Sequence, residues 1–178
     1  MTPKLRYLLG AFLLALPADQ LTKLWVSANV PVESFADRIT VVDGFFYITH
    51  ARNPGAAFGL LVDWPWAWRI TLFSVVAAIA VFVVLSFFRS LAPGDRFNAS
   101  ALGLIMGGAL GNLIDRLTRG EVIDFLHFRL WGNRSWPDFN LADSFLVVGV
   151  AALMLELLAS EAESRAKPGE AERNEGDA

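Results

Sequence analysis

FNLADSFLVVGVAALMLELLA, residues 139–159, is apolar enough and long enough to cross a bilayer, yet it carries Asp143 within its first turns. A hydrocarbon layer about 30 Å thick takes roughly 20 residues of helix, so the stretch reads as a transmembrane helix with a carboxyl group near one end. Such a group is costly there and marks a functional site whose partner lies elsewhere in the chain. Three further runs have the same character, so the expected fold is a mainly α membrane protein with four transmembrane helices, at about 5–26, 68–88, 99–117 and 139–159. The totals agree: 54% of the 178 residues are hydrophobic and the mean hydropathy is +0.45.

The first run also has features of a secretory signal, with Lys4 and Arg6 before an apolar core. However, Leu16 is bulky where cleavage wants a small residue, and apolar residues resume after Asp19 with Leu21, Leu24, Trp25 and Val26, which favours an uncleaved helix. There are no cysteines, which excludes disulfides, thiolate metal sites and a thiol nucleophile. The basic residues form no patch, so no nucleic-acid partner is expected. Lys and Arg are nearly balanced between the two sides; the first segment favours a cytoplasmic N-terminus and, with four spans, cytoplasmic termini on both ends. Residues 1–159 are expected to form one membrane-embedded domain, and 160–178, highly charged, a polar disordered cytoplasmic tail.

Outside the helices, ITVV, Asp43-Gly44 and FFYIT read as a hairpin, and LHFRLW alternates like a half-buried strand, giving β regions at about 39–50 and 122–131. Trp64, Trp66 and Trp68 suit an interfacial aromatic belt. Because helices alternate in direction, the polar residues of the first, third and fourth spans fall at one membrane level. Asp19 and Lys23 are four apart and share a helix face; Asn112, Asp115 and Arg116 end the third span; Asn140 and Asp143 begin the fourth. Asp124 and Asp143 bracket the connection between the last two helices. Two carboxyl groups meeting in a partly dry site cannot both ionise cheaply, so one keeps a proton while the other takes one from water, which is general acid–base hydrolysis. The blander alternatives are a helix-capping acid at Asp143 with Asn140 as cap, a loop acid at Asp124, and structural pairing for Asp19–Lys23 and for Asp115 with Arg116 and Asn112. His50 and His127 lack metal-ligand spacing, so no metal or other cofactor is expected. A Ser144–Lys23 dyad and an ion or proton carrier using membrane aspartates are the other functional readings.

DQLTK, NPGAAFG, GGALGNLIDRL, VIDF and FNLADS occur in this order over nearly the whole apolar part of the chain. Together they resemble the lipoprotein signal peptidases, or signal peptidase II, of bacterial cytoplasmic (inner) membranes. The resemblance implies an aspartic endopeptidase, working at the extracytoplasmic side, that cuts prolipoproteins just before a diacylglyceryl-modified cysteine. It implies Asp124 and Asp143 as the catalytic pair. Asn53, Gly55, Asn112, Asp115, Arg116, Asn140 and Ala142 would support the pair or contact substrate, and Asp19 with Lys23 would be a structural polar pair. A small extracytoplasmic β-cradle, a membrane-surface amphipathic segment, membrane lipids as partners, a monomeric enzyme and inhibition by globomycin are implied as well. Gly55, Ala56, Ala57 and Ala142 are candidate walls for a narrow cavity that selects a small residue before the cut.

Overall fold

The protein is described by a computed structural model covering residues 1–32, 34–55, 60–132 and 134–166. Four long helices and three strands follow in the order α1 (Pro3–Asn29), β1 (Ile39–Val42), β2 (Phe46–Asn53), α2 (Trp66–Ser90), α3 (Arg96–Arg119), β3 (Val122–Phe128) and α4 (Leu141–Ala166). Each helix begins or ends a few residues from the expected bounds. The largest difference is in α4, which continues through Ala166 instead of stopping at 159, because SEAESRA has no helix breaker. Among the described residues α2, α3 and α4 are long and apolar enough to cross a membrane. The C-terminal half of α1 carries Asp19, Gln20 and Lys23 among its apolar residues.

α3 lies at the centre, against α1, α4 and α2. Its contact with α1 runs along Gly103, Gly107 and Gly111, four residues apart on one face. A Cβ at Gly103 would come within 2.3 Å of Leu8 O, and one at Gly111 within 2.6 Å of Asp19 Oδ2. Lipid gives no hydrophobic drive for helix association, so such close backbone approach supplies the van der Waals contact instead. The adjacent Gly108 admits α4, where a Cβ would meet Ala142 O at 2.4 Å. Leu8, Val84, Leu91, Ala99, Leu102 and Ile105 close the apolar core toward the end where α1 and α3 begin.

The strands form an antiparallel sheet, β1-β2-β3. The expected hairpin is present: Ile39 pairs with Ile48, Val42 pairs with Phe46, and Gly44 in the turn has φ +73°, a backbone region open to glycine. Gly120, with φ +81°, ends α3, so Glu121 alone separates it from β3. This short link fixes β3 at the end of the bundle where the polar residues of α1, α3 and α4 gather.

Candidate active site

Asp124 sits in the buried half of β3, facing the bundle, and is not a loop acid. The chain after β3 loops out and returns so that Phe139 pairs with Leu126, with Leu126 N–H donating to Phe139 O at 2.8 Å. Asn140 and the first turn of α4 are thereby laid beside Asp124. Asn140 caps α4 in reciprocal fashion. Its Oδ1 accepts from Asp143 N–H at 3.0 Å, while its own N–H donates to Asp143 Oδ2 at 3.2 Å. Asp143 is therefore a helix-capping acid, and its capping partner also bridges to the second carboxyl group: Asn140 Nδ2–H donates to Asp124 Oδ1 at 2.7 Å.

Amides surround both aspartates. Asn53 Nδ2–H donates to Asp124 Oδ2 at 3.0 Å, and Asn53 Oδ1 holds Gly55 N–H, fixing the end of β2. Asn112 Nδ2–H donates to Asp143 Oδ1 at 2.7 Å, and Asn112 Oδ1 accepts from Asn140 and from Lys23. Asp124 and Asp143 line one cavity of about 560 Å³, together with Asn53, Asn112, Arg116, Trp136 and Phe139. Burial, with the charge of Asp143 adding to it, pushes the Asp124 carboxyl up to about 7, against the opposing pull of the Asn53 and Asn140 hydrogen bonds and of Lys23.

A second polar layer lies behind the cavity. Asp19, Lys23, Asp115 and Asn140 have no exposed surface. Lys23 Nζ is 2.8 Å from both Asp19 Oδ2 and Asp115 Oδ2, and Asp19 Oδ1 accepts from Ala142 N–H at 2.9 Å. The expected Asp19–Lys23 pair is present and ties α1 to α3 and α4. Asp115 pairs with Lys23 and Arg119 rather than Arg116, because residue 119 is one turn away on the same face. Arg116 instead donates to Gly55 O at 3.2 Å and lies 3.8 Å over the Phe73 ring. With Lys23 so engaged, and Ser144 Oγ–H donating to Asn140 O, no serine–lysine dyad forms.

Ala142 and Gly55 are buried but do not line the cavity. Ala142 is packed behind Asp143 against Gly108 and Gly111, and a Cβ on Gly55 would strike Leu60 O at 2.3 Å. Ala56 and Ala57 lie outside the described residues. The two histidines belong to the sheet, as their strand pattern suggests. His50 Nδ1–H donates to Val30 O at 2.9 Å and His127 Nδ1–H to Asp138 Oδ1 at 2.6 Å. Sequence reading places Gln20 with Asp19 and Lys23 but assigns no partner to it or to Arg119. Gln20 Nε2–H reaches Asp19, Gly111 O and Asp115, each at 3.1 Å, and Arg119 completes the Asp115 pairing. The four-residue spacing of Asp115 and Arg119 was the available signal.

A model of the signal peptidase (SPase) II family matches residues 11–159. The chain belongs to the signal peptidase II family. It is similar to a lipoprotein signal peptidase of Geobacter sulfurreducens (strain ATCC 51573 / DSM 12127 / PCA), 42% identical over 161 residues that cover 90% of this chain and 97% of that one. A lipoprotein signal peptidase of Bacillus subtilis (strain 168) is 40% identical over 146 residues, covering 82% and 89%. Two solved structures described as bacterial membrane enzymes superpose with TM-scores of 0.75 and 0.71, at 32% and 33% identity. They cover 86% and 83% of this chain and 88% and 90% of theirs. Membership of the signal peptidase II family makes this chain a membrane peptidase and disfavours the carrier reading.

Proposed function

We propose that this chain is an aspartic endopeptidase of the bacterial inner membrane that removes the signal peptide from diacylglyceryl-modified prolipoproteins, cutting just before the lipidated cysteine. One observation carries the catalytic assignment: Asp124 and Asp143 line the same cavity and are joined through Asn140, with Asp124 pushed up to about 7. The proton that the pair brings to the reaction rests on the buried member, Asp124. Asp143, partly buried at the cavity wall, takes a proton from water as the oxygen attacks the scissile carbonyl, while Asp124 donates its proton to the carbonyl oxygen. In the second half the tetrahedral intermediate collapses. Asp143 passes the proton it took from water to the leaving amine, the C–N bond breaks, and Asp124 takes back a proton from a hydroxyl of the diol as the new carboxyl group forms, which restores the starting state. Asn53, Asn112 and Asn140 orient the two carboxyl groups, and Arg116 is placed to meet substrate at the cavity. Asp19, Lys23 and Asp115 are structural.

A four-span arrangement completes this reading. α1, with 27 residues, is about 40 Å long, turns Asp19 and Lys23 inward and exposes Leu13, Leu14 and Leu21 to lipid. Both termini are placed in the cytoplasm, with the cavity and sheet outside. A membrane-surface segment lies near Trp64, Trp66 and Trp68, which are exposed at the start of α2. The working unit is a monomer, and globomycin is the expected inhibitor. Lipid on the substrate contributes roughly 0.8 kcal/mol per buried CH₂, so partitioning itself brings the scissile bond to this level. The test is release of signal peptide by purified protein from a diacylglyceryl prolipoprotein and from its unlipidated form. The first should be cleaved and the second left intact; no release from either, or equal release from both, refutes the proposal.

A further inference from the structure

At the opposite end of the bundle from the aspartates, the first turns of α1 and α3 lie side by side and leave a cleft of about 400 Å³ lined by Pro3, Arg6, Tyr7 and Arg96. Two exposed arginines line one space, and among the described residues neither has a carboxylate partner. The nearest acid in sequence, Asp95, is engaged: Oδ1 accepts from Asn98 N–H at 3.1 Å and Oδ2 from its side-chain amide at 2.9 Å. Lys4 is also engaged, donating to Phe88 O at 3.0 Å and Leu91 O at 2.6 Å, which closes the end of α2. Arg96 is held 5.5 Å above the Tyr7 ring, in a cation–π contact that leaves its N–H groups free to take an anion.

The surroundings are those of a lipid rather than a soluble anion. Arg96 begins a membrane-length helix, so the cleft sits at headgroup level. From Tyr7 an apolar path leads down α1. Gly10, three residues on, has nothing within 4 Å of where a Cβ would be, and Leu13 and Leu14 beyond it are exposed. Phe97 is exposed beside Arg96. We propose that the Arg6–Tyr7–Arg96 cleft binds the phosphate of one anionic phospholipid, with an acyl chain lying along the open face of α1 at Gly10. Arginine suits this role because its fork of donors matches phosphate oxygens, and basic pockets between membrane helices are suited to anionic headgroups.

The test is native mass spectrometry and thermal unfolding of the full chain in detergent, titrated with phosphatidylglycerol, phosphatidylcholine or inorganic phosphate. The wild-type protein should retain one phosphatidylglycerol and gain thermal stability from it, with little response to the other two. Arg6→Gln/Arg96→Gln should bind it on the order of 30-fold more weakly, taking each arginine's attraction at the headgroup surface into account. Arg6→Lys/Arg96→Lys should fall between. If the double variant does not fold, Arg96→Gln alone should show a roughly 5-fold loss. Unchanged phosphatidylglycerol retention in the variants, equal retention of phosphatidylcholine, or full displacement by inorganic phosphate would overturn the proposal.

Discussion

Asp124 carries the most informative pH dependence in the molecule. Its carboxyl group stands at about 7 against an ordinary 3.8, so the folded protein binds a proton there more tightly than the unfolded chain does. The corresponding stability is fully present below 3.8 and is lost as pH rises toward about 7. Thermal unfolding should therefore show a falling limb across that window, and Asp124→Asn, which cannot ionise, should flatten it. Activity should decline above about pH 7, where the shared proton departs. Asn140 acts on both aspartates at once, through Asp143 as cap and through Asp124 as amide donor. Asn140→Ala should lower the stability of α4 by about 1 kcal/mol, measured by chemical unfolding, and also lower kcat, because both carboxyl groups lose a fixed orientation. At this scale Asp143 stood out by the cost of a carboxyl group within an apolar run, whereas Asp124 was marked only by its place across the connection from Asp143 and by the family resemblance. The choice of Arg119 over Arg116 as the partner of Asp115 depended on helix phase, and the bond from Asn53 to Asp124 depended on strand register, so neither pairing followed from proximity in sequence.

At the scale of elements, the α1–α3 contact is governed by missing side chains. Gly103 has no space for a Cβ, whereas Gly10 has nothing within 4 Å of one. Gly103→Val should lower stability by roughly 1–3 kcal/mol through forced separation of the helices. Gly10→Val, on an exposed face, should have a smaller effect, and thermal unfolding in one detergent decides between them. The same contact is locked by Lys23, whose ammonium lies between two buried carboxylates. Lys23→Met leaves Asp19 without a cation and Asp115 with Arg119 alone, and should cost about 3–5 kcal/mol. Asp19→Asn in the same chain should recover part of that loss. Apolar runs marked where the helices lie but, being apolar round most of each helix, not which faces meet. The glycine stripe, four residues apart, was the one sequence signal for the contact. The hairpin was legible from Asp43-Gly44. The return of Phe139 to β3, which brings the aspartates together, is a tertiary pairing with no local signature.

For the molecule as a whole, apolar length alone pointed to a helical membrane protein, while sidedness rests on a nearly balanced charge count. The absence of cysteine makes this directly measurable with single-cysteine variants. Ser135→Cys, in the exposed loop before α4, should react with a membrane-impermeant maleimide added outside spheroplasts, and Ser160→Cys should react only after permeabilisation. Labelling of both from one side would contradict α4 as a membrane span. The chemistry itself is tested most directly by signal-peptide release from a diacylglyceryl prolipoprotein, comparing wild type with Asp124→Asn and Asp143→Asn. Each variant should fold, since asparagine has nearly the same shape and keeps one of the two acceptor oxygens, yet release peptide about 10²- to 10⁴-fold more slowly. Near wild-type release by either folded variant would contradict a shared-proton aspartate pair.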